Sequence, residues 1–238
     1  MLSVTCFNHR FTSGGRMIVL AVLAIVLLIV LGFWQLHRAE EKQLILSAEA
    51  RETQLPPVEW AAGMPYPKQY QLIEVKGRYL SSVFLLDNQF FEHQPGYNVL
   101  SPYLLADGHL LLIDRGWIAG DRSHIPELPP LLPAHHLSGR AYFPSAKSWV
   151  LGQEAEIKSD SITIVERIDV NLISNLLHKS VYPFIIRLNK DDVNGFTRKW
   201  PTVTMSPQRH YAYALQWFAL AFIALVVFIG SNLKKIND

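Results

Sequence analysis

Residues 17–36 read MIVLAVLAIVLLIVLGFWQL, twenty positions without one ionisable side chain. At 1.5 Å per residue a helix of that length spans about 30 Å, the thickness of a bilayer's hydrocarbon core. A second stretch of equal length, YAYALQWFALAFIALVVFIG at 211–230, has Gln216 as its only strongly polar residue. Two buried core helices are the competing explanation, but a domain of this size rarely buries helices that are apolar all round. The first stretch is too long for a signal-peptide core and no A-x-A cleavage site follows it, so an uncleaved anchor is expected. Trp34 near the end of one stretch, and Tyr211, Tyr213 and Trp217 in the first turns of the other, match the aromatic belts of membrane surfaces.

Two spans divide the chain into an N-terminal tail (1–16), a first transmembrane helix (17–36), a water-facing domain (37–210), a second transmembrane helix (211–230) and a C-terminal tail (231–238). Arg10 and Arg16 make the first tail basic, and Lys234 and Lys235 outnumber Asp238 in the second. Basic flanks stay inside, so both termini are expected in the cytoplasm. The central domain then lies in the periplasm of a bacterial inner (plasma) membrane. From Arg38 to Arg209 there are 18 Lys and Arg against 19 Asp and Glu. That balance argues against nucleic acid, which needs a basic face. The only cysteine, Cys6, falls on the cytoplasmic side. The external domain therefore has no disulfide, thiol redox pair or thiolate metal site.

Helix-forming residues at 39–53, with Leu44, Ile45 and Ala48 at helical spacing, are expected to carry the first helix out of the membrane until Pro56-Pro57 stops it. Beyond a Pro/Gly-rich linker the pattern turns to strands, at 70–80, 82–91, 97–105, 109–118, 136–143, 161–170 and 181–188. A loop is expected at 93–96, a tight hairpin turn at Asp107-Gly108 and a short helix at 170–177. Pro183 confines its strand to an edge or a bulge. Residues 189–205 read as a polar connector back to the membrane. The expected fold is an integral membrane protein: two transmembrane helices flanking a mainly antiparallel-β (α+β, barrel or sandwich) extracytoplasmic domain.

No G-x-S-x-G, H-E-x-x-H or phosphate-binding glycine loop is present. His135-His136 reads as a surface pair, because neighbours on a strand point to opposite faces. Asp114-Arg115, at the end of an apolar strand, is either a turn ion pair or a binding element. His210 stands at the entry to the second span and shares a helix face with Tyr213 and Trp217. The simpler reading is an interfacial histidine that anchors the helix end. The other is an axial ligand to a haem iron, with the porphyrin packed on the rings.

Four segments resemble one family. Leu31-Gly32-Phe33-Trp34-Gln35-Leu36-His37-Arg38, with Lys42 soon after, is similar to the G-x-W-Q-x-x-R segment of the Surfeit locus protein 1 family. Gly96-Tyr97-Asn98-Val99-Leu100-Ser101-Pro102 resembles its G-Y-x-V-x-x-P segment, and Asp114-Arg115-Gly116-Trp117 its R-G-W strand end. His210-Tyr211-Ala212-Tyr213-Ala214-Leu215-Gln216-Trp217-Phe218 is similar to its H-x-x-Y-A-x-x-W entry into the second span. The resemblance implies a cytochrome c oxidase assembly factor, not an enzyme, that helps supply haem a to the catalytic subunit of a haem–copper oxidase. It implies His210 as the haem-binding residue. Further partners are the bilayer and the enzyme that makes haem a.

On this reading Tyr213, Trp217 and Trp34 wall the porphyrin. Arg38 and Arg115 are candidates for its propionates, since a guanidinium suits a carboxylate bidentately. His37 falls at a variable position of the motif. It becomes a second axial ligand only if the two helix ends lie side by side. The alternatives are a structural assembly factor that binds no haem, and an anchored periplasmic enzyme.

Overall fold

The computed structural model describes residues 2–6, 9–121, 125–144 and 155–235. In chain order the elements are β1 (Leu2–Cys6), β2 (His9–Ser13), α1 (Gly15–Thr53), β3 (Val58–Glu59), β4 (Leu72–Tyr79), β5 (Val83–Phe91), β6 (Gln94–Leu105) and β7 (Leu110–Ala119). They continue with β8 (His136–Tyr142), β9 (Ala155–Ile157), β10 (Ile162–Val165), α2 (Val170–Leu177), β11 (Val181–Leu188), α3 (Pro207–Asn232) and β12 (Leu233–Lys235). These make two units, Met1–Ser47 with Thr202–Asp238, and Ala48–Pro201.

In the first unit α1 and α3 are the two transmembrane helices. Only 6% and 11% of their most apolar windows is buried, so neither is the core helix of a water-soluble protein. α1 is one unbroken helix of 39 residues. Proline at the first helical position of α3 sets φ where no N–H is needed. The two tails hold strands that the sequence reading did not anticipate. β1 and β2 form an antiparallel hairpin, and β12 adds to β2 through Leu233↔Phe11. Strands of three to five residues carry too little period to be read locally.

The second unit is built on a closed barrel. β4, β8, β11, β7 and β6 pair in that order, and Gly77↔Leu105 to Tyr79↔Tyr103 join β6 back to β4. Closure removes the sandwich alternative and leaves the barrel strands without free edges. Alternation along the strands sorts the core. Ile73, Val75, Leu111, Ile113, Phe184 and Ile186 belong to the cluster inside the barrel. Leu112 and Ile185, one residue out of phase, pack with Ile173 of α2 outside it.

α2 begins where Asp169 caps the backbone N–H groups of Asn171 and Leu172. That cap lies inside the strand expected at 161–170, and β10 ends at Val165. Three pairings are parallel: β11 with β7, β10 with β5 and β3 with β4. The loop expected at 93–96 is displaced. Glu92 and His93, at φ 49° and 66°, make a two-residue turn, and Phe91 pairs directly with Gln94. Pro183 does not put β11 at an edge, because the strand lies between β8 and β7. Its register with β7 breaks between Val181 and Ile185, so the missing N–H falls in a bulge.

Candidate functional site

Gln35 is the one strongly polar residue of the first span, and it meets His210. His210 Nδ1 lies 2.7 Å from Gln35 Oε1, so Nδ1–H donates and the other ring nitrogen carries the bare lone pair. His210 is 8% exposed, and its Nε2 is buried without a hydrogen-bond partner. An imidazole oriented through one nitrogen, with the other unpartnered, is an arrangement shared by metal-ligating histidines. The chemistry of this nitrogen is compatible with holding a haem iron.

What brings the helices this close is small side chains. Burial on α1 falls on Gly32 and Ala39, and on α3 it includes Ala214 and Ala221, each pair seven residues apart. The Phe218 ring occupies the space of a missing Cβ at Gly32, 2.5 Å from where that atom would sit, and stacks edge-on against Phe33 at 5.3 Å. Small residues let membrane helices approach where no hydrophobic effect drives them together. Gly32→Leu should therefore destabilise the helix pair by about 1–3 kcal/mol. Gly230→Leu, where nothing lies within 4 Å, should be neutral. Unfolding in mixed micelles measures both, and equal midpoints would remove the seam.

Trp217 is half-buried, and Tyr213 and Trp34 are exposed. Arg38 donates to Glu41 at 2.6 Å. His37 is two residues, about 200°, round the helix from Gln35. Its side chain is 69% exposed and its Nε2 lies 3.2 Å from Glu41, so it is turned to its own helix and not to His210. Gln35 was missed as a site residue. A lone amide inside an apolar span was the signal that pointed to it.

Arg115 belongs to the barrel. Asn98 pairs with Trp117 and Leu100 with Asp114, so Arg115 and Gly116 form a bulge, with Gly116 at φ +105°. Arg115 is 2% exposed; its Nε donates to the Asn194 carbonyl at 2.7 Å, and its guanidinium covers the Phe196 ring at 4.7 Å. Trp117 exchanges backbone hydrogen bonds with Thr197, and its Nε1 donates to the Gln89 carbonyl. Arg115-Gly116-Trp117 thus docks the connector on the barrel. The expected turn ion pair does not form. Asp114 Oδ1 accepts from Gly116 N at 3.0 Å, and Arg115 is held elsewhere. His136 reaches toward Glu74 at 3.7 Å, and among the described residues no cluster of His, Cys, Asp and Glu could hold a metal ion.

Burial raises the Asp114 carboxyl to about 6, against the opposing pull of Arg187 and of the hydrogen bonds from Gly116, Trp200 and Asn98. The folded chain keeps this proton to about pH 6, while the unfolded chain releases it near pH 4. Between those values the native state binds more protons, so stability falls as pH rises, by about 3 kcal/mol, and then levels off. Denaturation midpoints from pH 4 to 7 should show the decline, and Asp114→Asn should flatten it. A midpoint that climbs through this window in the wild type would contradict the assignment.

Comparison with known proteins adds to this geometry. The family model described as SURF1 family matches residues 22–222. The chain is similar to a SURF1-like protein of Rickettsia conorii, 24% identical over 220 residues and 88% of each chain. It is also similar to one of Rickettsia bellii, 23% identical over 87% of each chain. An uncharacterized SURF1-like protein of Mycobacterium tuberculosis is 24% identical over 66% of this chain and 57% of its own.

Proposed function

Because the chain belongs to the SURF1 family, with its general role in oxidase assembly, we propose that it holds haem a at the outer membrane surface and delivers it to the catalytic subunit of a haem–copper oxidase. The observation that carries the reading is the buried His210 Nε2, unpartnered while Nδ1 is bound to Gln35. Gln35 orients the imidazole, and His210 Nε2 would hold the iron. Tyr213, Trp217 and Trp34 offer aromatic surface, and Arg38 a guanidinium for a propionate. One imidazole at a helix end makes a reversible hold, which a delivery factor needs, and no group on the chain has to perform bond chemistry. The basic tails support cytoplasmic termini with the barrel domain in the periplasm of an inner membrane.

The experiment is co-purification of the detergent-solubilised chain from cells that make haem a, read by absorbance. A Soret band in proportion to protein is expected. Protein free of porphyrin under those conditions would instead favour a structural assembly factor.

A further inference from the structure

β8 and β11 run antiparallel with Arg140 directly opposite Arg187. Like charges face to face across a sheet are unfavourable, and a nearby negative charge relieves them. Around these two the following loop gathers three more cations. Arg140, Arg187, Lys190, Arg198 and Lys199 line one pocket of about 330 Å³, with Trp200 in its wall. Only Arg140 has a carboxylate within ion-pair reach among the described residues, Glu49 at 3.5 Å. Asp114, opposite Arg187 on β7, is the other nearby acid.

The charge is local. The region from Arg38 to Arg209 has one more acid than base, yet five cations converge here. The pocket is also built. The Arg187 guanidinium lies 3.6 Å from the Tyr142 ring centroid and 5.7 Å from that of Trp200, and its Nε is buried with no hydrogen-bond partner. Arg198 is braced by the carbonyls of Asn189 and Asp192. Lys190 and Lys199 are exposed, and neither has a carboxylate partner among the described residues.

We propose that this pocket binds a compact, multiply charged phosphate group, carried either by an anionic lipid headgroup or by a soluble phosphate ester. Guanidinium forks match the paired oxygens of a phosphate, and the lysines supply mobile point charges. A singly charged carboxylate would leave most of this positive charge unbalanced. The site is independent of His210 and of the haem reading.

Full-length protein in an uncharged detergent, titrated calorimetrically with pyrophosphate at low salt, tests it. Saturable binding that weakens as salt is added is expected. Lys190→Gln with Lys199→Gln, two exposed positions that leave the fold alone, should weaken binding about tenfold or more. Lys179→Gln should not change it. Anionic phospholipid retained by the wild type and lost from the double variant assigns the headgroup; pyrophosphate binding without lipid retention assigns a soluble ester. No pyrophosphate heat from wild-type protein that melts normally, or equal affinity in the double variant, overturns the proposal.

Discussion

Gly116→Val should cost the barrel domain about 3–5 kcal/mol and release the connector that docks on it. Two effects combine. A β-branched residue at φ +105° is strained wherever it sits. Here its Cβ would also lie 2.6 Å from the Thr197 carbonyl oxygen and 3.0 Å from its carbon, both backbone atoms that cannot swing aside. Phe196 N–H would lose the Arg115 carbonyl, Thr197 and Trp117 would lose their mutual hydrogen bonds, and the Arg115 guanidinium would lose the Asn194 carbonyl. Denaturation midpoints measure the loss, and limited proteolysis within 189–201 reports the released connector. Gly63→Val separates the two effects, because Gly63 also has a positive φ of 86° but nothing within 4 Å of its missing Cβ. If both variants cost the same, the close approach of Thr197 contributes nothing.

The second large effect is expected at the paired helix ends. His210→Ala should reduce bound haem to background while the protein stays inserted, since truncation at the entry to α3 leaves Ser206 and Pro207 in place. Gln35→Leu keeps the imidazole but removes the acceptor on Nδ1, and should weaken haem binding about 10–100-fold. Free imidazole in the medium should restore part of the spectrum to the small-residue variant, which a purely structural loss would not allow. His37→Ala should leave the spin state of the bound haem as in the wild type, because His37 faces Glu41. Undiminished haem in His210→Ala would end the ligand assignment. A low-spin to high-spin change in His37→Ala would bring that residue back to the iron.

Much of the fold was written in local pattern. Apolar runs the length of a bilayer, alternation in Ile73 and Val75, the helical stretch at 170–177 and the Asp107-Gly108 turn all act within a few residues, so the sequence by itself determined them. Barrel closure was not legible, because joining Gly77 to Leu105 pairs strands far apart in the chain and no local period records that choice. The same holds for the parallel partner of β11, whose Pro183 was accommodated by a bulge instead of an edge.

At the candidate sites the division is sharper. His210 and its aromatic neighbours stood out because residue type and helical spacing are local properties. Gln35 acquired its meaning only when α3 came within 2.7 Å, across 175 positions of sequence. Arg115, readable from the sequence as a turn ion pair or a binding group, is held in the barrel by a carbonyl 79 residues away. Arg140 and Arg187, unremarked in the sequence, became a site once the sheet register set them opposite each other. A side chain's chemistry is covalent and travels with the sequence. Its partner, its burial and its free valence depend on what the folded chain brings beside it, and those only the tertiary structure decided.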